Sequence, residues 1–237
     1  MQLWPSSKKY TVLISGASRG LGLEFTQQYA EAGWHVIACC RTPDDAVELQ
    51  KLHKKYRSIA IMPLDITSAS SVENLSTALA GKPIDLLINN AGIYGQPHQQ
   101  LGNLDIQDLI HVYATNAIAP LKLSEALIEN IKNSKLKTIV SITSLMASIT
   151  DNHSGGAYSY RASKAALNMM MKTLSNDLEN FGIRVLLLHP GWVQTDMGGA
   201  KAPLEAAVSV AGMRKVIEAT IDVTGCFFDY QGRSLLW

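Results

Sequence analysis

The chain has 237 residues, 47% of them hydrophobic, and a formal net charge of +1 with no block of like charges. That size and composition fit one α/β domain with a full core, while the near-neutral balance argues against a nucleic-acid surface or a polybasic membrane anchor. No apolar run approaches the roughly 20 residues that cross a bilayer, and Met1–Lys9 lacks the apolar core of a signal peptide, so no membrane association and a cytoplasmic location are expected.

Strand and helix candidates alternate along the chain. Thr11–Ser15 is an apolar, β-rich run without a polar break, which suits a strand buried on both faces. Gly16-Ala17-Ser18-Arg19-Gly20-Leu21-Gly22 follows it, and Leu23–Ala30 then reads as a helix. A glycine-rich turn between strand and helix lets backbone amides approach a pyrophosphate at the positive end of the helix dipole. The spacing is Gly-x-x-x-Gly-x-Gly, which differs from the Gly-x-Gly-x-x-Gly dinucleotide fingerprint. Further strand candidates are His35–Cys40, Ile59–Pro63, Leu86–Asn89, Lys137–Thr143, Arg184–His189 and Gly225–Phe228. Helical patterns fill Asp44–Tyr56, Ser70–Ala80, Ile106–Lys132, Tyr160–Asn180 and Leu204–Ile221.

This βαβα alternation predicts an α/β, single-domain, Rossmann-like doubly wound sheet of about seven mostly parallel strands with helices on both faces. The domain would span residues 1–237, with 1–8 as a short N-terminal extension. Such a sheet binds its ligand at the carboxyl ends of the strands. Asn89-Asn90-Ala91-Gly92, Ser144 and Pro190-Gly191 all fall there, as does the glycine turn. Cys39 and Cys40 are neighbours on one strand and point to opposite faces, so they are not expected to bond each other. The scattered histidines and cysteines show no metal-ligand spacing, and no metal is expected.

Tyr160-Arg161-Ala162-Ser163-Lys164 puts a phenol and an ammonium one helical turn apart on one face. An ammonium about 4 Å from a phenolate, at an effective dielectric of about 20, stabilises it by ~4 kcal/mol. That is on the order of three pKa units, enough to bring the phenol toward the range useful for general acid–base work. Tyr158 has Ala162 at the same spacing and lacks this partner. Alone, such a pair also occurs on solvated helix faces; its convergence with the strand-end motifs gives it weight.

With these residues together, the chain resembles the short-chain dehydrogenase/reductase family from Tyr10 to Trp237. The family's Thr-Gly-x-x-x-Gly-x-Gly is Ser15-Gly16-Ala17-Ser18-Arg19-Gly20-Leu21-Gly22 here, a serine keeping the hydroxyl. Asn89-Asn90-Ala91-Gly92 and Tyr160-x-x-x-Lys164 match without change, and Ser141-Ile142-Thr143-Ser144 places the family's catalytic serine at Ser144. Its catalytic asparagine falls at Asn116. Ser144 and Tyr160 are further apart than in many relatives, with the extra length in Ile149–Gly156, and Ser148 is the alternative serine. Asp151–Gly156, Tyr160–Met169 and Phe227–Gly232 are similar to the carbonyl reductases of the Sniffer and bacterial C-factor type.

The resemblance implies hydride transfer between NADP(H) and the carbonyl or hydroxyl carbon of a small substrate. Tyr160 would exchange the proton, Lys164 would lower its pKa and bind the nicotinamide ribose, Ser144 would bond the substrate oxygen, and Asn116 would hold a water linking Lys164 to solvent. Cofactor contacts would come from Gly16, Ser18, Arg19, Gly20, Leu21 and Gly22, from Asn90, Ala91 and Gly92, and from Pro190, Gly191, Val193 and Thr195. Asp65 and Ile66 would meet the adenine, although an N-cap role also suits Asp65. Family members often form dimers or tetramers, so a homodimer or homotetramer is expected.

The strand ending Ala38-Cys39-Cys40-Arg41 lacks the acidic residue that accepts from the ribose hydroxyls of NAD. Arg41 and Arg19 instead offer guanidinium groups to a 2′-phosphate, which favours NADP(H) over NAD(H). Arg41 also reads as a solvated loop charge, and Asp44 and Asp45 would blunt its effect. A 3-oxoacyl thioester or quinone reductase would use the same residues. A reading from another class is an NADP(H)-binding signalling protein of C-factor type, against which stands the complete set of Asn116, Ser144, Tyr160 and Lys164. Met197–Leu204, with Gly198-Gly199 and Pro203, reads as a mobile lid.

Overall fold

A computed structural model describes residues 10–237; the expected extension at 1–8 lies outside the described residues. Seven strands form one sheet: β1 (Thr11–Ser15), β2 (His35–Cys40), β3 (Ile59–Pro63), β4 (Leu86–Asn89), β5 (Thr138–Ile142), β6 (Arg184–His189) and β7 (Cys226–Asp229). Every pairing is parallel and the order is β3-β2-β1-β4-β5-β6-β7. The chain therefore builds outward from β1 to one edge and returns through β4 to the other, leaving a crevice at the switch between them.

Alternate strand residues feed two cores. Val12, Ile14, Val36, Ile88, Val140 and Leu188 pack on one face against Phe25 and Tyr29 of α1 (Gly20–Glu31), Leu49 of α2 (Val47–Lys55) and Met213 and Ile217 of α8 (Ala206–Ala219). Leu13, Ile37, Leu87, Ile139, Val185 and Leu187 pack on the other, against α3 (Ala69–Ala78), α5 (Ala119–Ala126), α6 (Ile128–Lys132) and α7 (Tyr158–Asp177). Cys39 and Cys40 divide between these two cores as free thiols, as strand alternation requires.

Several boundaries depart from the expected ones. The helix expected over Ile106–Lys132 is α4 (Ile106–Tyr113), a π turn at Ala114–Ile118, then α5 and α6. Pro120 has no amide to donate into a continuous α-helix, and the wider turn before it absorbs the break. Lys137 and Gly225 both have left-handed backbone, at φ 46 and 63°, so β5 and β7 start one residue later than expected. At the other end of the glycine turn, α1 begins three residues earlier, at Gly20, so the turn runs into the helix itself. Among the described residues no helix is long and apolar enough to cross a membrane.

Candidate active site

The ends of β1 and β4 are locked together by hydrogen bonds between the side chain of one and the backbone of the other. Ser15 Oγ accepts from the amides of Asn90 at 3.1 Å and Ala91 at 3.2 Å, which is what the hydroxyl at this position is for. Asn90 Nδ2 donates in return to Ser15 O at 3.0 Å and Gly16 O at 3.1 Å. A Cβ on Gly16 would lie 2.8 Å from Ala91 Cα, and one on Gly22 would lie 2.1 Å from Gly16 O. Only glycine permits this approach. The first intrahelical bond of α1 runs from Leu23 N to Arg19 O, leaving the amides of Gly20, Leu21 and Gly22 outside the helix ladder. The cradle fits a pyrophosphate: bare backbone, free amides and the positive end of a helix.

A cleft of about 290 Å³ runs from this turn across the C-terminal edge of the sheet. Its walls bring together Gly16, Ser18, Arg19, Gly20, Leu21, Arg41, Asp65, Ile66, Asn90, Ala91, Gly92, Tyr160, Lys164, Pro190 and Thr195. Gly22, Asn116, Ser144, Gly191 and Val193 do not line it. Gly191 packs under Leu204, Val193 pairs by backbone with Leu204, and Asn116 is fully buried. Sequence reasoning missed Cys40 and Leu64, which sit at or just past strand ends, and also His111, Thr115 and Asp196. The strand-end rule would have found the first two; the others carry no signal of their own.

Beside the cleft, Ser18, Arg19 and Arg41 share a side pocket with the carboxylates of Asp45 and Glu48. Arg19 Nη1 also reaches Asp196 Oδ2 at 3.2 Å, an exposed ion pair between the glycine turn and the loop after β6. Asp65 Oδ1 accepts from Thr67 N at 2.9 Å and Thr67 Oγ1 at 2.7 Å, bonds that hold its carboxyl below the usual range. The N-cap of α3 is Ser68, so Asp65 closes an Asx turn instead. Met197–Leu204 is tied down by Gly198 N to Thr195 Oγ1 at 3.1 Å, Gly199 N to Thr195 O at 2.8 Å and Trp192 Nε1 to Gly198 O at 2.8 Å.

Tyr160 and Lys164 are buried together on α7. Burial pushes the Tyr160 phenol up to about 12; a hydrogen bond with Ser144 works the other way, and Tyr94 adds to the rise. Burial also pulls the Lys164 ammonium down to about 8. The direct phenol–ammonium pairing expected from their spacing is not formed. Lys164 Nζ donates to Ile142 O at 2.9 Å and stands 5.9 Å from the centre of the Tyr160 ring. The end of β5 supplies a nearer partner, so desolvation rather than attraction sets the tyrosine's acidity here.

Asn116 Oδ1 accepts from Ile93 N at 2.8 Å, and its Nδ2 donates to Ile93 O at 2.8 Å and Ser163 Oγ at 3.0 Å. Ser144 Oγ caps the short turn Leu145–Ala147 by accepting from Met146 N at 3.1 Å. Ser148 is turned away, its hydroxyl donating to Trp237 O at 3.2 Å, and of the two serines Ser144 is the one beside the phenol.

A sequence model described as short chain dehydrogenase matches residues 10–205. The chain is 44% identical to C-signal of Myxococcus xanthus over 163 residues, covering 68% of this chain and 98% of that protein. An NADPH-bound carbonyl reductase from chicken fatty liver superposes with a TM-score of 0.91 at 37% identity, over 97% of this chain and 100% of that one. Carbonyl reductase Sniffer of D. melanogaster does so with a TM-score of 0.88 at 30% identity, again over 97% and 100%. Fold, glycine turn, strand-end residues and these similarities agree, and the chain belongs to the short-chain dehydrogenase/reductase family.

Proposed function

We propose that this oxidoreductase transfers a hydride between NADP(H) and the carbonyl or hydroxyl carbon of a small substrate, acting as a carbonyl reductase. One observation carries the reading: a desolvated Tyr160, with the Ser144 hydroxyl beside it and Lys164 as neighbour, lies in the same cleft as the glycine cradle. Bound there, the nicotinamide supplies or accepts the hydride. Ser144 holds the substrate oxygen by donating a hydrogen bond, and Tyr160 gives that oxygen its proton in reduction. Lys164 stabilises the phenolate left behind and binds the ribose.

Asn116 Oδ1 keeps one lone pair after bonding Ile93 N, and both it and Lys164 Nζ lie beside Gly92: a Cβ on Gly92 would lie 3.1 Å from the first and 3.5 Å from the second. That lone pair is the acceptor for a water resupplying protons to Lys164. Arg19 and Arg41 bind the 2′-phosphate in the side pocket, with Asp45 and Glu48 moderating the preference. The NADPH bound to the chicken carbonyl reductase supports the same choice. Asp65 and Ile66 hold the adenine, while Pro190, Gly191, Val193 and Thr195 serve the nicotinamide end.

The test is oxidation of NADPH and of NADH by the purified chain with ketones, aldehydes, quinones and 3-oxoacyl thioesters, beside Tyr160→Phe. Turnover with NADPH that vanishes in the variant is the expected result. Undiminished turnover in the variant would remove Tyr160 as proton donor. The similarity to C-signal favours a second reading, a signalling role based on dinucleotide binding. Under that reading both proteins bind NADPH and neither turns over. The chain is further proposed to be one cytoplasmic domain and a homodimer or homotetramer, with the exposed Ile106, Ile110 and Tyr113 of α4 in the contact; sedimentation of the purified chain tests the stoichiometry.

A further inference from the structure

The helix that carries Tyr160 has no cap of its own. Its N-cap position is Ala157, which has left-handed backbone at φ 49° and no side-chain acceptor. The first intrahelical bond runs from Arg161 N to Ala157 O at 2.9 Å, so the amide of Tyr160 itself falls outside the ladder. A serine or aspartate at the N-cap would ordinarily accept from that third amide. Here the acceptor arrives from the loop after β4: Tyr160 N donates to Gln99 Oε1 at 3.1 Å.

Gln99 is 4% exposed, and both its amide hydrogens are used as well. Nε2 donates to Tyr94 O at 2.7 Å and to Gln96 O at 2.8 Å, which curls the loop around the side chain. Asp108 of α4 makes a second tie between the same partners. Its Oδ2 accepts from Ser159 Oγ at 2.7 Å and its Oδ1 from Gln96 N at 3.0 Å. Gly95 must be glycine for this, since a Cβ there would lie 2.7 Å from Val112 Cγ2 and 2.8 Å from Asp108 Oδ2. The ring of Tyr94 completes the contact, 5.0 Å from the ring of Tyr160.

We propose that Gln99 is a positioning residue, a helix cap supplied from the loop after β4 that fixes the depth of Tyr160 in the cleft and ties it to the position of that loop. The inference rests on the reading of Tyr160 as proton donor. Gln99 touches neither substrate nor cofactor in this account; it acts through the backbone of the residue that does. The same loop begins with Gly92 and Ile93, which line the cleft, so whatever settles against them also bears on the cap.

Two substitutions separate the halves of the side chain. Gln99→Leu removes acceptor and donors together. Gln99→Glu keeps an acceptor facing Tyr160 N, where the helix N-terminus favours a carboxylate, but loses the donors that hold the loop. With NADPH and the carbonyl compound of the panel that turns over fastest, kcat in Gln99→Leu is expected to fall roughly 10- to 100-fold, the scale of a misplacement of about 1 Å. NADPH affinity should stay as in the wild type. Gln99→Glu should keep most of kcat and show its defect in KM. Hydrogen exchange at the Tyr160 amide should quicken in Gln99→Leu and stay slow in Gln99→Glu.

Wild-type kcat in Gln99→Leu, or equal loss of kcat in both variants, would overturn the proposal. Should Gln99→Leu not fold, fast exchange at Tyr160 in a folded Gln99→Glu would overturn it too. Exchange needs no turnover, so it also separates the two levels of the argument. A fully active Tyr160→Phe with exchange changed as expected removes the proton donor and leaves the cap. An inactive Tyr160→Phe with unchanged kcat and exchange in Gln99→Leu removes the cap and leaves the donor.

Discussion

At the N-terminal edge of the sheet, Asp85, Asn130 and Arg184 tie neighbouring segments together through buried hydrogen bonds; at the C-terminal edge several buried polar groups lack such ties. Asp85 accepts from Thr11 N at 2.9 Å, Lys135 N at 3.0 Å and Leu136 N at 3.4 Å, pinning β1, β4 and β5 at one point. Asn130 donates to Leu79 O and Lys82 O, and Arg184 to Thr138 Oγ1 and Thr220 O. At the opposite edge the buried Lys164 ammonium has one carbonyl for its three hydrogens, and among the described residues Asn168 Nδ2 and His189 Nδ1 have no hydrogen-bond partner. The first three side chains cross-link the segments around the strand starts. The C-terminal edge keeps polar groups poorly solvated, the condition that moves pKa values and leaves room for a ligand.

Substitutions at the two edges should therefore act on different properties, and the largest effect tests this most sharply. Tyr160→Phe removes the proposed proton donor and should lower turnover by roughly 10²- to 10⁴-fold, with the melting temperature unchanged. Asp85→Ala should do the reverse. Three amides lose a charged acceptor and two strand ends lose their tie, a cost of about 3 kcal/mol and a fall in Tm of about 6–12 °C. Activity per folded molecule should survive. If calorimetry shows Asp85→Ala as stable as the wild type, the contrast between the edges is wrong.

The same division explains what was legible in the sequence. Strands buried on both faces appear as unbroken apolar runs, and a strand–glycine–helix turn has a recognisable composition, so the sheet and the cradle could be read directly. Tyr160 and Lys164 were visible as a pair because helical spacing is local. The true partner of Lys164 was not visible, because the Ile142 carbonyl reaches it only through the packing of α7 on β5. Gln99 is the extreme case: one glutamine in a polar loop, bonded to a residue 61 positions away. The π turn before Pro120 was missed for a different reason, since the apolar pattern continues across it while the hydrogen-bond ladder does not.

Lys164 gives a pH test of the same contrast. Burial lowers its pKa from the ordinary 10.5 to about 8. Between those values the unfolded chain holds a proton that the folded one has released, so the unfolded state binds more protons and stability rises with pH. Below pH 8 both states are charged and the cost of burying the ammonium is constant. Tyr160, pushed up to about 12 by burial, acts in the opposite sense above its ordinary 10.0, where the unfolded phenol ionises first. Urea unfolding should thus show the wild type gaining on Lys164→Met from pH 8 to 10. Parallel stability curves would mean that the ammonium is solvated after all.

The smallest effect concerns the rim of the cleft. Arg19 and Asp196 are each 75% exposed, so their ion pair contributes less than about 1 kcal/mol, and Asp196→Asn should leave Tm untouched. Its consequence lies in what Arg19 is then free to do. Arg19 lines both the cleft and the side pocket with Arg41, so the carboxylate of Asp196 competes with any 2′-phosphate for the same guanidinium. Releasing it should tighten NADPH binding about two- to fivefold at low ionic strength, less at high salt. NADH lacks the 2′-phosphate and should bind as before. An equal gain for both nucleotides would move the action of Arg19 to the shared pyrophosphate and leave Arg41 to carry the preference alone.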